Sequence, residues 1–303
     1  MRWFLLSCEA VANVAQWVSG ARPRTLLAAV VPVAIGIAVV AGESDIAVMR
    51  IAVHGGLALL VSLALQIAVN YANDYSDGVR GTDDERVGPL RLVASGVAPA
   101  RAVKYAALLS FAVAAVAGGV LAMLTTWWLI PVGLVSMIAG WTYTGGPKPY
   151  GYVGLGEVFV FVFFGLVATA GTAFVITETL PRLAVVSGAV AGFLAVALLV
   201  VNNIRDIEND RVSGKKTLAV RLGDRRSRHL YVAVYICVAV AIVVAAFDEP
   251  LALLGVVGLL AALPAISTVR NARTAPELVR ALGMTARAQL IVGGLYVVGL
   301  VIQ

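Results

Sequence analysis

LAVVSGAVAGFLAVALLVVNNIRDIEND, residues Leu183 to Asp210, joins two unlike pieces in one run. Leu183 to Val201 carries no charge and is almost wholly apolar, and about 20 such residues make a helix long enough to cross a bilayer core. Asn202 to Asp210 is polar, and Asn202, Asp206 and Asp210 recur at i, i+4 and i+8. If the helix continues, those three share one face. An apolar span that runs straight into a stripe of acids holds charge at a membrane surface on a rigid element.

The rest of the chain agrees with that reading. Of its 303 residues, 60% are hydrophobic and only 13% are charged, with mean hydropathy +0.93. A soluble domain carries roughly 25% charged residues, so there is too little polar surface here to wrap a core, and lipid is the solvent for much of the molecule. The net charge of +6 does not point to nucleic acid, because the basic residues lie between apolar runs and not on one soluble face. Cys8 and Cys237 lie far apart, and His54 and His229 are isolated, which excludes a disulfide framework and a zinc motif.

Apolar runs recur at Leu26–Ala41, Ile51–Val69, Ala102–Leu124, Trp127–Thr144, Leu155–Ile176, Leu183–Val201, Leu230–Phe247, Leu251–Val269 and Ala286–Ile302. They are continuous and not alternating, so helices and not a barrel satisfy the backbone in lipid. The expected fold is a single all-α integral membrane domain over residues 1–303. Nine transmembrane helices would surround a central cavity, with cytoplasmic loops capping an acidic site. Residues 1–20 lack a clean apolar core and a cleavage site, and are expected to form an amphipathic interfacial segment and not a signal peptide.

Loop charge gives this arrangement a sidedness. With a cytoplasmic N-terminus, 21 of the 23 Lys and Arg residues fall inside, and only Arg50 and Arg182 fall outside. That is the bias expected of a multi-pass protein of the cell membrane. The long connections 71–101 and 202–229 both lie on the cytoplasmic side, and long loops in a compact protein tend to carry function.

The second span ends as the sixth does. Asn70, Asn73, Asp74 and Asp77 fall at i, i+3, i+4 and i+7, followed by Asp83 and Asp84; the sixth span adds Asn203 and Arg205, then Lys215 and Lys216. Both segments lead from an apolar helix through Asn-x-x-x-Asp to a glycine-containing loop, as an internal repeat would, and repeats in membrane folds often place a site between the halves. Acids at a helix end are commonly a solvated face or a cap. Two matched sets on one side argue instead for ligands, since stacked carboxylates repel unless a cation neutralises them. Carboxylate and amide oxygens suit Mg²⁺, which takes one or two carboxylates and completes its shell with water and substrate phosphates. Arg22, Arg24, Arg205, Lys215 and Lys216 are candidates to hold the remaining phosphate charge.

A third segment, YTGGPKPYGYVGLGE from Tyr143 to Glu157, forms an irregular loop at the end of the fourth span. Tyr143, Tyr150 and Tyr152 offer ring faces that attract a cation, and Lys148 an ammonium for an anionic acceptor. Interfacial tyrosines are equally common as a plain aromatic belt. Glu157, at the start of an apolar span, is a candidate for function or for capping its helix.

Three strings, NYANDYSDGVRGTDDERVGPLRLVASG (70–96), YTGGPKPYGYVGLGE (143–157) and NNIRDIENDRVSGKKTLAVRLGD (202–224), together with ARPRTL at 21–26, resemble the UbiA superfamily of intramembrane aromatic prenyltransferases. Within it they are most similar to the branch that prenylates 1,4-dihydroxy-2-naphthoate in menaquinone biosynthesis. The resemblance covers essentially the whole chain. It implies that Asn70, Asp74, Asp77, Asn202, Asp206 and Asp210 hold Mg²⁺ and a polyprenyl diphosphate, with either Asn202 or Asn203 facing the metal. It also implies transfer of the prenyl group to the aromatic acid with loss of pyrophosphate and CO₂, giving demethylmenaquinone. Tyr143, Lys148 and Tyr150 fall to the acceptor side, and Asp83 and Asp84 to the metal or the loop.

Rival readings are a prenyltransferase for 4-hydroxybenzoate, homogentisate or a glycerol phosphate, and a cation-coupled transporter. Transporter sites sit near the membrane midplane on broken helices, whereas these acids cluster at helix ends.

Overall fold

The computed structural model describes residues 12–42, 46–82 and 90–302. Asp83, Asp84 and the first half of the expected interfacial segment lie outside the described residues. Within them the chain is helical, with no strand. A short helix α1 (Val14–Gly20) leads into α2 (Leu27–Val40), followed by α3 (Val48–Arg80), α4 (Ala100–Leu124) and α5 (Leu129–Thr142). Then come α6 (Gly156–Thr177), α7 (Arg182–Val212), a short α8 (Leu218–Leu222), α9 (Asp224–Ala245), α10 (Pro250–Asn271) and α11 (Ala275–Val301).

Seven of these, α3, α4, α6, α7, α9, α10 and α11, are long and apolar enough to cross a membrane, and α2 makes an eighth if it is joined to Val14–Thr25 across a 50° bend. Among the described residues the count by length and apolarity is therefore seven or eight, where nine were expected. α2 and α5 have 14 residues each, which at 1.5 Å per residue spans only about 21 Å of a core about 30 Å thick. The apolar run at 127–144 overstated α5, because Trp127 and Trp128 stand in a turn before the helix and Tyr143 stands just after it.

α7 is the central helix: 72% of its most apolar window is buried, against half or less for every other span. It packs on α9 and on the middle of α6, while α3 packs on α4. The approach of α6 to α7 is backbone to backbone. A Cβ placed on Gly165 would stand 2.5 Å from the Cα of Gly192 and 2.6 Å from the carbonyl of Gly188, so only glycine permits it. In that same stretch, Phe161–Val167, α6 is wound as a π-helix. Such an insertion re-aims neighbouring side chains and is frequent at functional sites.

α3 and α7 have 33 and 31 residues, about ten more than a bilayer core requires. The excess is spent at one end. Residues 71–80 and 202–212, expected as the starts of loops, continue the helices, so the polar stripes stand on rigid rods beyond the apolar bundle. α3 stops where Gly81 takes a left-handed φ of 71° and Thr82 N–H reaches back to the Asp77 carbonyl at 3.1 Å, a glycine-terminated C-cap.

Candidate active site

The end of α3 is stapled from three sides. Asn70 donates its amide to the Ala21 carbonyl at 2.8 Å and to Thr25 Oγ1 at 3.0 Å, and its own Oδ1 accepts from Gln66. This holds the turn in which Arg22 adopts a left-handed φ of 55°, a conformation costly for a residue with a Cβ. Arg22 reaches the cavity described below. Its Nη2 is buried with no hydrogen bond among the described residues. Asn73 accepts from the Thr144 hydroxyl at 2.7 Å. Asp77 Oδ1 accepts both the Tyr152 hydroxyl, at 2.6 Å, and the Lys215 ammonium, at 3.0 Å.

Asp74 differs from its neighbours on the stripe. It is fully buried, and its carboxylate accepts the backbone N–H groups of Leu92 and Val93 at 2.8 and 3.1 Å. Asn70, Asn73 and Asp77 line the cavity and Asp74 does not. The four were expected on one face. The stripe is broad enough that Asp74, at its edge, meets the segment 90–98 instead.

At the end of α7, Asn202, Asp206 and Asp210 all line the cavity, as does Asn203. Arg205 forks onto Asp206 through two hydrogen bonds of 2.7 Å and also donates to Asn202 Oδ1 at 2.9 Å. The pair is nearly dry, with side chains 2% and 8% exposed, and such charge-assisted forks are strong and directional. Arg205 Nη1 is buried without a hydrogen bond among the described residues. Asp210 accepts from the Thr217 hydroxyl at 3.3 Å. The two helix ends are tied across the chain by Lys215 to Asp77 and by Asn209, whose amide donates to the Thr82 carbonyl at 3.0 Å.

The segment 143–155 closes one side. Gly151 N–H bonds the Tyr143 carbonyl at 3.0 Å, and a Cβ there would stand 2.6 Å from that same oxygen. Tyr152 lies between two cations, with the Lys215 ammonium 4.8 Å and the Arg80 guanidinium 5.5 Å from its ring centre. Burial, then the charge of Asp77, pushes the Tyr152 phenol above its ordinary value; burial does the same to Tyr150. Tyr143 meets Tyr150 edge-on at 5.4 Å, Tyr150 stacks on Phe159 at 3.9 Å, and Phe159 continues to Phe163 at 5.9 Å. Glu157 is buried and accepts the Asn203 amide at 3.0 Å.

These groups surround one cavity of about 360 Å³, polar at the acidic helix ends and apolar deeper in, where Leu65, Leu121, Leu129, Val132 and Phe164 form the wall. Of the residues singled out in the sequence, Arg22, Asn70, Asn73, Asp77, Tyr143, Tyr150, Asn202, Asn203, Asp206, Asp210 and Lys215 line it. Arg24, Lys148 and Lys216 do not, and each is exposed. Arg205 and Glu157 stand one layer behind it. Tyr152, also read as a ring face, lines it too, and the structure adds Gln66, Arg91, Thr144 and Thr217 to the wall. Only their proximity in the fold marks them, since none belongs to the Asn/Asp spacing.

Among the described residues, no three His, Cys, Asp or Glu side chains cluster closely enough to cage an ion alone. The oxygens of Asp77, Asp206 and Asp210 nonetheless face one space. They are hard donors of the kind Mg²⁺ uses when substrate phosphates complete its shell. The donor set thus fits Mg²⁺ bound together with a diphosphate, and not a resident all-protein metal centre.

A family model described as the UbiA prenyltransferase family matches residues 29–285. The chain is 47% identical over 283 residues to a 1,4-dihydroxy-2-naphthoate octaprenyltransferase of Mycobacterium tuberculosis, covering 93% of this chain and 95% of that one. It is 35% identical over 232 residues to the enzyme of the same name from Escherichia coli, covering 74% and 73%. Among solved structures, a UbiA homologue from Archaeoglobus fulgidus bound to GPP and Mg²⁺ superposes with a TM-score of 0.62 at 15% identity, covering 94% and 98% of the two chains. A UbiA homologue from Aeropyrum pernix superposes with 0.65 at 15% identity, covering 90% and 97%. At that identity the likeness is one of fold.

Proposed function

This chain belongs to the UbiA prenyltransferase family, and from that premise we propose that it transfers a polyprenyl group from its diphosphate to 1,4-dihydroxy-2-naphthoate. It is a multi-pass membrane enzyme. The observation that carries the reading is one cavity with two chemistries: facing carboxylates and buried cations at the mouth, and an apolar wall beyond. A polyprenyl diphosphate has the same two halves.

The diphosphate lies at the helix ends, within reach of Arg22, Arg91 and Lys215. Asp77, Asp206 and Asp210 would hold Mg²⁺ together with the phosphates, and the ion would supply charge that makes pyrophosphate a good leaving group. The allylic C–O bond breaks and leaves its electron pair on pyrophosphate. The ring faces of Tyr143 and Tyr150 stand where positive charge develops, and the dry wall keeps water from it. The ring carbon bearing the carboxylate forms the new C–C bond. CO₂ leaves, returning its electron pair to the ring and giving the quinol form of demethylmenaquinone. Asn70, on the wall itself, holds the Arg22 turn, and Arg205 acts behind the wall by orienting Asp206. The site faces the cytoplasm of a cell membrane, which agrees with the loop charge.

The test is purified protein in detergent or nanodiscs, given dihydroxynaphthoate, a polyprenyl diphosphate and Mg²⁺, with products identified by mass. A prenylated naphthoquinol is expected. Product from 4-hydroxybenzoate or homogentisate and none from the naphthoate would overturn the acceptor assignment.

A further inference from the structure

Asn202 and Asn203 are adjacent in sequence, line the same cavity, and are held in opposite senses. Arg205 can only donate, so its bond to Asn202 consumes that residue's carbonyl oxygen. The Asn203 amide donates to Glu157 Oε1 at 3.0 Å, which engages one of its two N–H groups and fixes which way the group points. Asn203 Oδ1 is left without a hydrogen bond among the described residues. Glu157 Oε2 is buried behind it, also without one. The spot therefore presents an acceptor backed by a carboxylate.

Chemistry decides what would bind there. A diphosphate has only acceptor oxygens and negative charge, and both are repelled. A ring hydroxyl has the donor the spot lacks. The surroundings suit a ring as well, because Tyr143 and Tyr150 line the cavity there and Gly156, next to Glu157, would place a Cβ only 3.3 Å from the Tyr143 ring. We propose that Asn203 accepts a hydrogen bond from a hydroxyl of the aromatic acceptor, and that Glu157 is the positioning residue that holds it in that sense. This rests on the prenyltransferase reading, and it places the acceptor's polar edge on the α6–α7 side of the cavity, away from the Asp77–Lys215 pair.

The test is calorimetric binding of 1,4-dihydroxy-2-naphthoate and its two mono-O-methyl ethers to the full-length protein in detergent, without donor substrate. It uses wild type, Glu157→Ala and Glu157→Gln, each checked by thermal melting. Wild type is expected to bind the free diol about tenfold more tightly than at least one ether, the worth of one charge-supported hydrogen bond. Glu157→Gln keeps an acceptor for the Asn203 amide and should keep that preference; Glu157→Ala should lose it. The proposal is overturned if wild type binds diol and ethers equally, or if the preference survives in Glu157→Ala. Binding is read without turnover, so failure of this inference is distinct from failure of the catalytic one, which the product assay reports.

Discussion

Lys215 reaches across 138 residues of sequence to place its ammonium 3.0 Å from Asp77. Both side chains are less than a tenth exposed, and this bond ties the α3 end to the loop after α7. Removing one partner of a buried pair strands the other charge and costs about 3–5 kcal/mol. Lys215→Met is expected to lower the melting temperature in detergent and to cut turnover at least a hundredfold. A variant with unchanged melting and activity would show that the pair is ornamental.

Asp206 and Asp77 should behave as donors to metal and substrate as well as buried partners of Arg205 and Lys215. Asp206→Asn and Asp77→Asn are expected to lose more than a thousandfold in turnover while remaining inserted and monodisperse by size exclusion. Asp74 should fail differently. Asp74→Asn keeps one carbonyl oxygen for the two N–H groups of Leu92 and Val93, so the segment 90–98 should loosen. Limited proteolysis of that segment should report the change before any difference in Mg²⁺ dependence.

Chelation should abolish turnover, and Mg²⁺ should restore it. Because the protein alone offers only scattered carboxylates, the metal is expected to bind weakly to the free protein and tightly with pyrophosphate present. Titration of Mg²⁺ with and without pyrophosphate checks this, and equal affinity in both would contradict it.

Tyr152 gives a pH prediction. Its phenol is raised in the folded protein above the unfolded value of about 10. The protonated form is thus favoured by folding, and the associated stability is complete below pH 10 and is lost as the pH climbs beyond it. Wild type should show no Tyr152-linked change between pH 7 and 9 but should lose stability faster than Tyr152→Phe above pH 10. In neutral solution Tyr152→Phe should cost about tenfold or less, because the ring that faces Lys215 and Arg80 remains. Melting curves from pH 7 to 11 and a rate assay decide both points.

The sequence made α3 and α7 legible because hydropathy and the Asn/Asp spacing reinforce each other on one helix. Asp77, Asp206 and Asp210, named by their spacing, came to line the cavity. Asp74 did not, because periodicity assigns a face and not the neighbour that face will meet. Lys148 and Lys215 look alike as text, each a lysine in a glycine-bearing loop, yet one is exposed and the other is sealed against Asp77. Arg91 carried no signal beyond its family string. α5 was overcounted as a full span because apolar letters run past the point where the helix begins.

The opposite rim of the bundle has a different consequence. Arg50 is clasped by Glu178, and Arg182 by Asp248, each at 2.6 Å. The two cations found there are thus already quenched, and Glu249 adds negative charge beside them. Among the described residues, an anion approaching that rim meets no arginine without a carboxylate partner. Under the proposed function, a diphosphate is expected to enter from the other end, which carries Arg22, Arg91 and Lys215.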